Sequence, residues 1–270
     1  MAFALGSGAI SAGYRLAAFE QVGSTNTEAM ACARGGEGGR MWFVTTEQTA
    51  GKGRRQRAWI APRGNLASSV LEVIDVAPAT AATLGFAAGL AIASALQQVS
   101  IEANLRRAGS DPLKFQLKWP NDVLVAKQKL VGISLEAEAV APGRLAVVVG
   151  IGTNVVAAPT GTPTPAVSLA ALGVHVGAEE LFSALSDAWV EFRGIWDNGR
   201  GFAEIRRLWL DRAAGLGERV AIQTGHATIE GTFDTIDETG CLIVRTAEGK
   251  HLPIAAGEVY FGSAASVGAA

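Results

Sequence analysis

Four cationic side chains and two glycines occur together in the segment Gly51-Lys52-Gly53-Arg54-Arg55-Gln56-Arg57. The whole chain has a net charge of −2, so this positive charge is a local concentration. Glycines let backbone N–H groups come close to a ligand, and arginine binds a carboxylate or phosphate through two parallel hydrogen bonds. The segment therefore predicts an anion site. A solvated basic turn and a non-specific nucleic-acid contact are the alternatives that the segment alone leaves open.

The composition is typical of an enzyme with a sizeable core. The chain has 270 residues, of which 49% are apolar and 18% charged, and this length predicts one large domain with a smaller one attached. Cys32 and Cys241 lie far apart with no CxxC spacing, so neither a disulfide framework nor a zinc site is indicated. The first 13 residues lack a signal-peptide pattern, and we expect a cytoplasmic protein.

One uncharged stretch, residues 76–99, is long enough to span a bilayer. It is dominated by Ala, Gly, Ser and Thr, and Pro78 lies near its start. Helices of small residues pack closely against sheets, whereas membrane insertion favours Leu and Phe. The stretch therefore predicts a buried helix, and no membrane association is expected.

The first two thirds of the chain alternate between strand and helix patterns. Strands are predicted at residues 14–22, 41–47, 66–74, 113–119, 122–125, 129–138 and 145–152, and a helix at 27–34 that Ser24, Thr25 or Asn26 could cap. The last strand is almost continuously apolar, which predicts the centre of the sheet.

The remainder divides into a loop, two helices and a β-rich segment. The loop covers residues 156–168, and the amphipathic helices cover 177–198 and 202–214, with Trp189, Trp196 and Trp209 on their inner faces. Short strands at 219–224, 228–237, 242–246 and 258–261 are separated by glycines. We predict a domain of residues 1–216, a small all-β domain of 217–264 with its boundary near Leu216, and a tail of 265–270.

Five motifs carry a resemblance to a known family. They are Gly23-Ser24-Thr25-Asn26, the basic segment with its flanks from Glu47 to Trp59, Lys118-Trp119-Pro120-Asn121-Asp122, Lys129-Leu130-Val131-Gly132-Ile133 and Gly150-Ile151-Gly152-Thr153-Asn154-Val155. In this order and spacing they resemble the biotin protein ligases, from about Ser24 to the C-terminus. The resemblance implies an α+β fold, in which a mixed sheet with flanking helices, as in class II aminoacyl-tRNA synthetases, precedes an SH3-like barrel.

The resemblance also implies a two-step reaction. The carboxylate of biotin attacks the α-phosphate of ATP, and biotinyl-5′-AMP then gives biotin to a lysine of a biotin carboxyl carrier domain, in acetyl-CoA carboxylase or another biotin-dependent carboxylase. Two anions must meet, and their repulsion has to be offset by converging cations. ATP and Mg²⁺ are expected as a substrate complex, and no tightly bound prosthetic group is expected.

Site residues follow from the resemblance position by position. Catalytic roles are expected for Lys129, Arg54 and Lys118. Biotin binding is expected for Ser24, Thr25, Asn26, Gln48, Gly51, Lys52, Gly53, Arg54, Lys129 and Gly132. ATP or adenylate binding is expected for Lys52, Arg54, Arg55, Arg57, Trp59, Asn121, Asp122, Lys129 and Asn154, with Asn154 near Mg²⁺.

Several of these residues also have simpler interpretations. Ser24 could cap a helix, Trp59 could belong to the core, and Lys118 and Lys129 could be solvated lysines at strand ends. Lys52 replaces the commoner arginine and Gln56 a common glycine, which predicts weaker retention of the adenylate. We expect the basic loop to be mobile without ligand and to order over the adenylate. The three histidines, His175, His226 and His251, lie outside the motifs and are predicted in turns or at the surface.

Only 23 residues precede Ser24, which predicts a ligase without the N-terminal DNA-binding domain of the family members that repress transcription.

Two alternative functions remain open at this point. A lipoate ligase, or another acyl-adenylate ligase on the same fold, is the first alternative. A nucleic-acid-binding module is the second, although the acidic balance of the chain argues against it. We expect no DNA partner and either a monomer or a homodimer.

Overall fold

The computed structural model describes residues 2–53, 58–105, 112–162, 164–225 and 227–262, without the side chains of residues 104 and 105. Within these ranges the helices are α1 (Ser7–Ser11), α2 (Thr25–Arg34), α3 (Pro78–Ala82), α4 (Leu84–Leu105), α5 (Ala178–Trp196) and α6 (Phe202–Leu210). The strands before α5 are β1 (Arg15–Ala18), β2 (Met41–Thr45), β3 (Leu66–Ile74), β4 (Gln116–Lys118), β5 (Asp122–Val125), β6 (Gln128–Ala141) and β7 (Arg144–Thr153). Those after α6 are β8 (Arg219–Gln223), β9 (Thr228–Ile236), β10 (Leu242–Arg245), β11 (His251–Ile254) and β12 (Glu258–Phe261).

The first seven strands form one mixed sheet in the order β1-β2-β3-β7-β6-β5-β4. Strands β1 and β2 are parallel, and the other neighbours are antiparallel. Strand β7 lies in the centre, where its buried run from Ala146 to Ile151 has neighbours on both edges, as predicted.

Helices cover the sheet on opposite faces. Helix α2 packs with Ala29, Met30 and Ala33 against Leu71 and Val148 on one face. Helices α4 and α5 pack against each other and against the other face. The inward-facing tryptophans predicted for α5 and α6, Trp189, Trp196 and Trp209, are buried.

The apolar stretch is a core helix in this fold. By length and composition Pro78–Ala103 could cross a membrane, but most of it is buried inside the protein. It is also interrupted, because α3 ends at Ala82 and α4 starts at Leu84. Burial by the sheet and α5 explains why this stretch needs so few polar side chains.

Several predicted boundaries were wrong. Helix α2 begins at Thr25 instead of residue 27, and Ser24 stands at its N-cap position without a side-chain capping bond to the described residues. Strand β4 covers only Gln116–Lys118 instead of 113–119. Strand β11 was not predicted. It contains Pro253 and lies at an edge of its sheet, where a missing N–H is tolerated.

The last five strands form an antiparallel sheet in the order β11-β10-β9-β8-β12. It contacts the first part of the chain through Gly240, whose carbonyl accepts a 3.1 Å hydrogen bond from Trp119 Nε1. Val220, Phe233 and Leu242 of this sheet belong to the same buried cluster as Trp209. The domain boundary near Leu216 stays a prediction, and residues 263–270, which include the predicted tail, lie outside the described residues.

Candidate active site

A hollow on the α2 face of the large sheet is formed by small residues in register. Gly150 of β7 is paired with Ser69 and Ser134 on the two neighbouring strands. The next row places Gly152 between Ala67 and Gly132. Laterally paired residues project from the same face of a sheet, so two rows without large side chains leave an open floor. The cavity above it has a volume of about 400 Å³.

A chain of polar side chains forms one wall. Ser69 Oγ lies 2.7 Å from Thr25 Oγ1 and 2.6 Å from Asn26 Oδ1. Asn26 Nδ2 donates to Ser134 Oγ at 3.1 Å and to Glu136 Oε1 at 2.7 Å. These partners fix the orientation of the Asn26 amide, with its oxygen toward Gly150.

The start of α2 is held against Gln48 at the same wall. Gln48 Oε1 accepts hydrogen bonds from the Thr25 backbone N–H at 2.8 Å and from Thr25 Oγ1 at 3.2 Å. Gln48 Oε1 therefore caps the N-terminus of α2, a role that we predicted from the sequence for Ser24. Ser24 is buried at the cavity wall, and its hydroxyl is not used to cap the helix.

The base of the basic loop lies over the floor. Lys52 and Ala58 form an antiparallel bridge, and Trp59 N–H donates to Gly51 O at 2.9 Å. The Trp59 indole covers Gly132 and Gly152 so closely that a Cβ on either glycine would come within 3 Å of it. Trp59 is thus a cavity residue instead of a core residue, and its Nε1 is buried without a hydrogen-bond partner in the described ranges.

The predictions that fall on the tip of the loop lie outside the described residues. They concern the roles of Arg54, Arg55 and Arg57, the effect of Gln56, and the ordering of the loop over the adenylate.

Lys129 is held at the cavity by its backbone and its side chain. Its N–H donates to Pro165 O at 2.7 Å, and its carbonyl accepts from Val167 N at 2.9 Å. Its Nζ lies 2.7 Å from Asp122 Oδ1 and 5.7 Å from the centre of the Trp59 ring. The lysine is therefore a fixed cation and not a freely solvated strand end.

Lys118 is a buried cation, being only 5% exposed. Its Nζ lies 5.9 Å and 5.8 Å from the ring centres of Tyr260 and Phe261 in β12. Burial lowers the pKa of Lys118, and the nearby positive charge of Lys129 lowers it further, while the carboxylates of Asp122 and Glu258 act in the opposite direction. The structure thus excludes the solvated interpretation of this lysine.

Asn154 offers a neutral oxygen at the cavity. Its Nδ2 donates to Val167 O at 3.2 Å, while its Oδ1 is buried with no hydrogen-bond partner in the described ranges. An unpaired amide oxygen in a cavity that the Asp122 carboxylate also lines suits a hard cation such as Mg²⁺. Within those ranges no group of three or more His, Cys, Asp or Glu side chains is placed to hold a metal ion.

Most of the predicted site residues that the structure describes are brought together here. Those that line the cavity are Ser24, Thr25, Asn26, Gln48, Lys52, Gly53, Trp59, Lys118, Asn121, Asp122, Lys129, Gly132 and Asn154. Gly51 does not line it and instead packs behind, against Gln48 and the Trp59 backbone. Asn121 Nδ2 donates to Ile133 O at 2.6 Å, so part of this amide is engaged by the protein. His175 and His251 are exposed, the latter in β11 beside Asp234, and His226 lies outside the described residues.

Sequence reasoning missed several residues of the site. Ser69, Ser134 and Glu136 form the back of the polar wall, and Gly257, Glu258 and Val259, at the start of β12, also line the cavity. The available signal for the first group was polar residues within otherwise apolar strands. Nothing in the local sequence around β12 indicates that it reaches the cavity.

The fold and the site define a class of protein. Residues 20–154 match the Biotin/lipoate A/B protein ligase family, and residues 215–262 match the Biotin protein ligase C terminal domain. The second match covers the five-stranded sheet and is consistent with the expected SH3-like barrel.

The chain belongs to the biotin protein ligase family. It is 40% identical over 245 residues to a biotin--[acetyl-CoA-carboxylase] ligase of Paracoccus denitrificans, covering 88% of this chain and 97% of that protein. It is 32% identical to the enzyme of the same name from Mycobacterium tuberculosis, covering 88% and 86%. The fold matches the structure of the Aquifex aeolicus biotin protein ligase in complex with biotin and ATP, with a TM-score of 0.73, 24% identity, and coverage of 92% and 98%. The resemblance and the fold class predicted from the sequence are therefore confirmed.

Proposed function

We propose that this protein is an ATP-dependent biotin protein ligase, which forms biotinyl-5′-AMP and transfers biotin to a lysine of a carrier domain. The observation that carries the proposal is the arrangement of Lys129, Asp122 and Asn154 beside a hollow whose other wall is made of hydroxyl and amide groups. The cationic side is suited to reacting anions. The polar wall is suited to a ligand with both donors and acceptors, such as a ureido ring.

In the first step, a carboxylate oxygen of biotin forms a bond to the α-phosphorus of ATP, and the bond from that phosphorus to the pyrophosphate oxygen breaks. Lys129 is assigned to neutralise the carboxylate and α-phosphate oxygens as they approach. Its pairing with Asp122 keeps the ammonium in place before substrate arrives, so that little reorganisation is needed. Lys118, which lies behind it, contributes to the positive potential at the same edge.

Mg²⁺ would enter with ATP, and Asn154 Oδ1 and the Asp122 carboxylate are the oxygen ligands among the described cavity residues that we assign to it. When bound, the metal ion would neutralise phosphate charge. Trp59, which already covers the floor glycines, would lie against the adenylate and exclude water.

In the second step, a lysine amine of the carrier attacks the acyl carbon of the mixed anhydride, and AMP leaves with the electrons of the C–O bond. Since AMP is a good leaving group, positioning and charge neutralisation are sufficient and no covalent enzyme intermediate is required. The proposed carrier is the biotin carboxyl carrier domain of acetyl-CoA carboxylase, in agreement with the names of the two relatives.

The decisive experiment is incubation of the protein with MgATP and either biotin or lipoate, followed by mass measurement of the bound nucleotide. We expect biotinyl-AMP, together with a carrier domain that gains one biotinyl group. Formation of lipoyl-AMP alone would favour the lipoate alternative, which the first family match also includes. Absence of both adenylates would exclude the proposal.

The proposal extends to location and assembly. We propose a cytoplasmic enzyme that acts as a monomer or homodimer and does not repress transcription. Sedimentation with and without biotinyl-AMP would distinguish monomer from dimer. Sequence-specific binding to DNA upstream of biotin-related genes would contradict the absence of repressor activity.

A further inference from the structure

Asn65 lies just before β3 and is 1% exposed. Its Oδ1 accepts three backbone hydrogen bonds, from Val155 N and Val156 N at 2.9 Å and from Ala157 N at 3.2 Å. Its Nδ2 donates to Ala157 O at 2.8 Å. One buried amide therefore holds the backbone of three successive residues.

Three successive N–H groups that converge on one point form a concave site of the kind that often binds anions. Here the oxygen of Asn65 fills it. The segment begins directly after Asn154, where the chain leaves β7 at Thr153 and no longer has the sheet to satisfy its backbone groups. Asn65 thus sets the direction in which the chain leaves the strand.

The other side of Asn154 is held independently. Its N–H donates to Leu130 O at 3.0 Å, and its carbonyl accepts from Leu169 N at 3.0 Å. Val167, which accepts from the Asn154 side chain, also donates to the Lys129 carbonyl at 2.9 Å. Asn154 is therefore fixed relative to Lys129 on one side and relative to Asn65 on the other.

Asn65 is itself anchored in the segment that returns from Trp59. Its N–H donates to Pro62 O, and Gly64 N–H donates to Thr46 O, each at 3.2 Å. Asn65 therefore connects the chain that carries Trp59 to the strand end that carries Asn154. Asn65 is not one of the residues that line the cavity, so it can act there only through other residues.

We infer that Asn65 is a positioning residue for the adenylate-forming step, which holds the free Oδ1 of Asn154 in register with the Lys129 ammonium. The inference rests on the proposed function. It assigns Asn65 to the activation of the carboxylate and not to the binding of biotin, since the Thr25 and Gln48 wall has its own separate hydrogen bonds.

The test compares Asn65→Ala with a variant that loses a buried hydrogen bond elsewhere. Thr83→Val is the matched control, because Thr83 Oγ1 accepts a buried hydrogen bond from Trp196 Nε1 at 2.7 Å and neither residue lines the cavity. Biotin-dependent ATP–pyrophosphate exchange is measured for both. For Asn65→Ala we expect kcat to fall about tenfold or more and KM for biotin to change less than about threefold, as for small misplacements of reacting groups. Thr83→Val should lose stability without this loss of kcat.

Hydrogen exchange gives a readout that does not depend on turnover. The amides of Val155, Val156 and Ala157 should be protected in the unmodified protein and lose protection in Asn65→Ala, but keep it in Thr83→Val. The amide protection in Asn65→Asp should lie between that of Asn65→Ala and that of the unmodified protein. This variant keeps an acceptor for the three N–H groups, but it places a carboxylate oxygen against Ala157 O. If Asn65→Ala is insoluble, Asn65→Asp is assayed in its place with the same expected split between kcat and KM.

The outcomes separate the inference from the proposed function. The positioning role is overturned if the unmodified protein catalyses pyrophosphate exchange and Asn65→Ala has the same kcat. It is also overturned if Asn65→Ala loses no more kcat than Thr83→Val does for the same loss of stability. Unaltered amide protection in Asn65→Ala would overturn it as well. Lack of exchange in the unmodified protein would instead refute the proposed function, and with it the assigned step.

Discussion

The ammonium of Lys129 is paired before any substrate is bound, because Asp122 lies 2.7 Å from it. This ion pair holds the lysine side chain in one position. The carboxylate of Asp122 also offsets part of the positive charge that Lys129 brings to the site. A carboxylate or phosphate that enters must therefore share Lys129 with Asp122.

Lys129→Ala should lower biotin-dependent pyrophosphate exchange by about 100-fold or more, because a fixed charge at the reacting oxygens is lost. Lys127→Ala is the matched control, since Lys127 lies two residues away, has an exposed side chain and does not line the cavity. Lys127→Ala should keep normal exchange and both variants should have normal circular dichroism. Normal exchange in Lys129→Ala would remove this lysine from the mechanism.

Lys118 predicts a pH dependence of stability. Its pKa in the folded protein is lowered from the ordinary value of 10.5 by burial, so the unfolded chain binds this proton more tightly. The charge on Lys118 therefore opposes folding at neutral pH, and the penalty fades as the pH rises from the lowered pKa to the ordinary one. Lys118→Met should raise the thermal unfolding temperature at pH 7, and the gain should shrink toward pH 10.

The same variant should make less adenylate, so that stability and activity change in opposite directions. Lys127→Met, an exposed lysine, should produce no comparable gain. An Lys118→Met protein that is less stable than the parent at pH 7 would contradict the predicted cost of this buried charge.

Strands β6 and β7 shape the site through their glycines, which have no side chains and so leave space above the sheet. Ile151 points into the core between Gly150 and Gly152, which face the hollow. Successive residues of a strand face opposite sides of the sheet. The alternation of glycine, isoleucine and glycine in β7 therefore gives the strand one face that packs in the core and one face that is open to the cavity.

Gly150→Ala should impair biotin binding, because the new Cβ would lie 2.3 Å from Asn26 Oδ1 and 2.6 Å from Ser134 Oγ. We expect a loss of stability of about 1–3 kcal/mol, as for overpacking, and a rise in Kd for biotin of about tenfold, equivalent to about 1.4 kcal/mol of binding. Titration calorimetry and thermal unfolding measure the two effects.

Gly85→Ala is the control, since Gly85 lies in α4 and a Cβ there would meet no atom within 4 Å. It should leave biotin binding unchanged and stabilise the helix by about 0.5–1 kcal/mol. Equal biotin affinity of the two variants would contradict the role given to the floor.

What the sequence could predict depended on how local each signal was. The bounds of β3 and β5 and the central place of β7 were predicted from apolar runs, and the cavity positions of Lys129 and Asn154 were predicted from the motifs that resemble the biotin protein ligases. Ser69 and Asn65 were not. Their partners lie 43 to 92 residues away along the chain, and a single serine or asparagine at a strand gives no indication of such a partner.

The two sheets of the molecule share one contiguous buried cluster. Val220, Phe233 and Leu242 from the small sheet lie in the same cluster as Leu90 and Trp209. The hydrogen bond from Trp119 to Gly240 and the packing of Lys118 on β12 cross the same boundary. A change in the small sheet can thus reach the cavity, which Glu258 lines.

This shared core predicts one cooperative unfolding transition. Hydrogen exchange of peptides from β2, β3 and β7 reports the first part of the chain, and hydrogen exchange of peptides from β8–β12 reports the second. The two probes should give the same midpoint in urea. Loss of protection in β8–β12 at a clearly lower urea concentration would indicate two independently stable units.

The floor of the cavity also limits how this enzyme could be re-engineered. At Gly150 nothing remains that a smaller residue could remove, because glycine has no side chain, whereas Gly132 and Gly152 lie beneath the Trp59 indole. Bulkier acids in place of biotin therefore cannot be accommodated by trimming the three glycines. Room for them must come from shortening side chains that line the cavity, Trp59 among them, so directed evolution toward larger labels should accumulate its changes there and leave the three glycines intact.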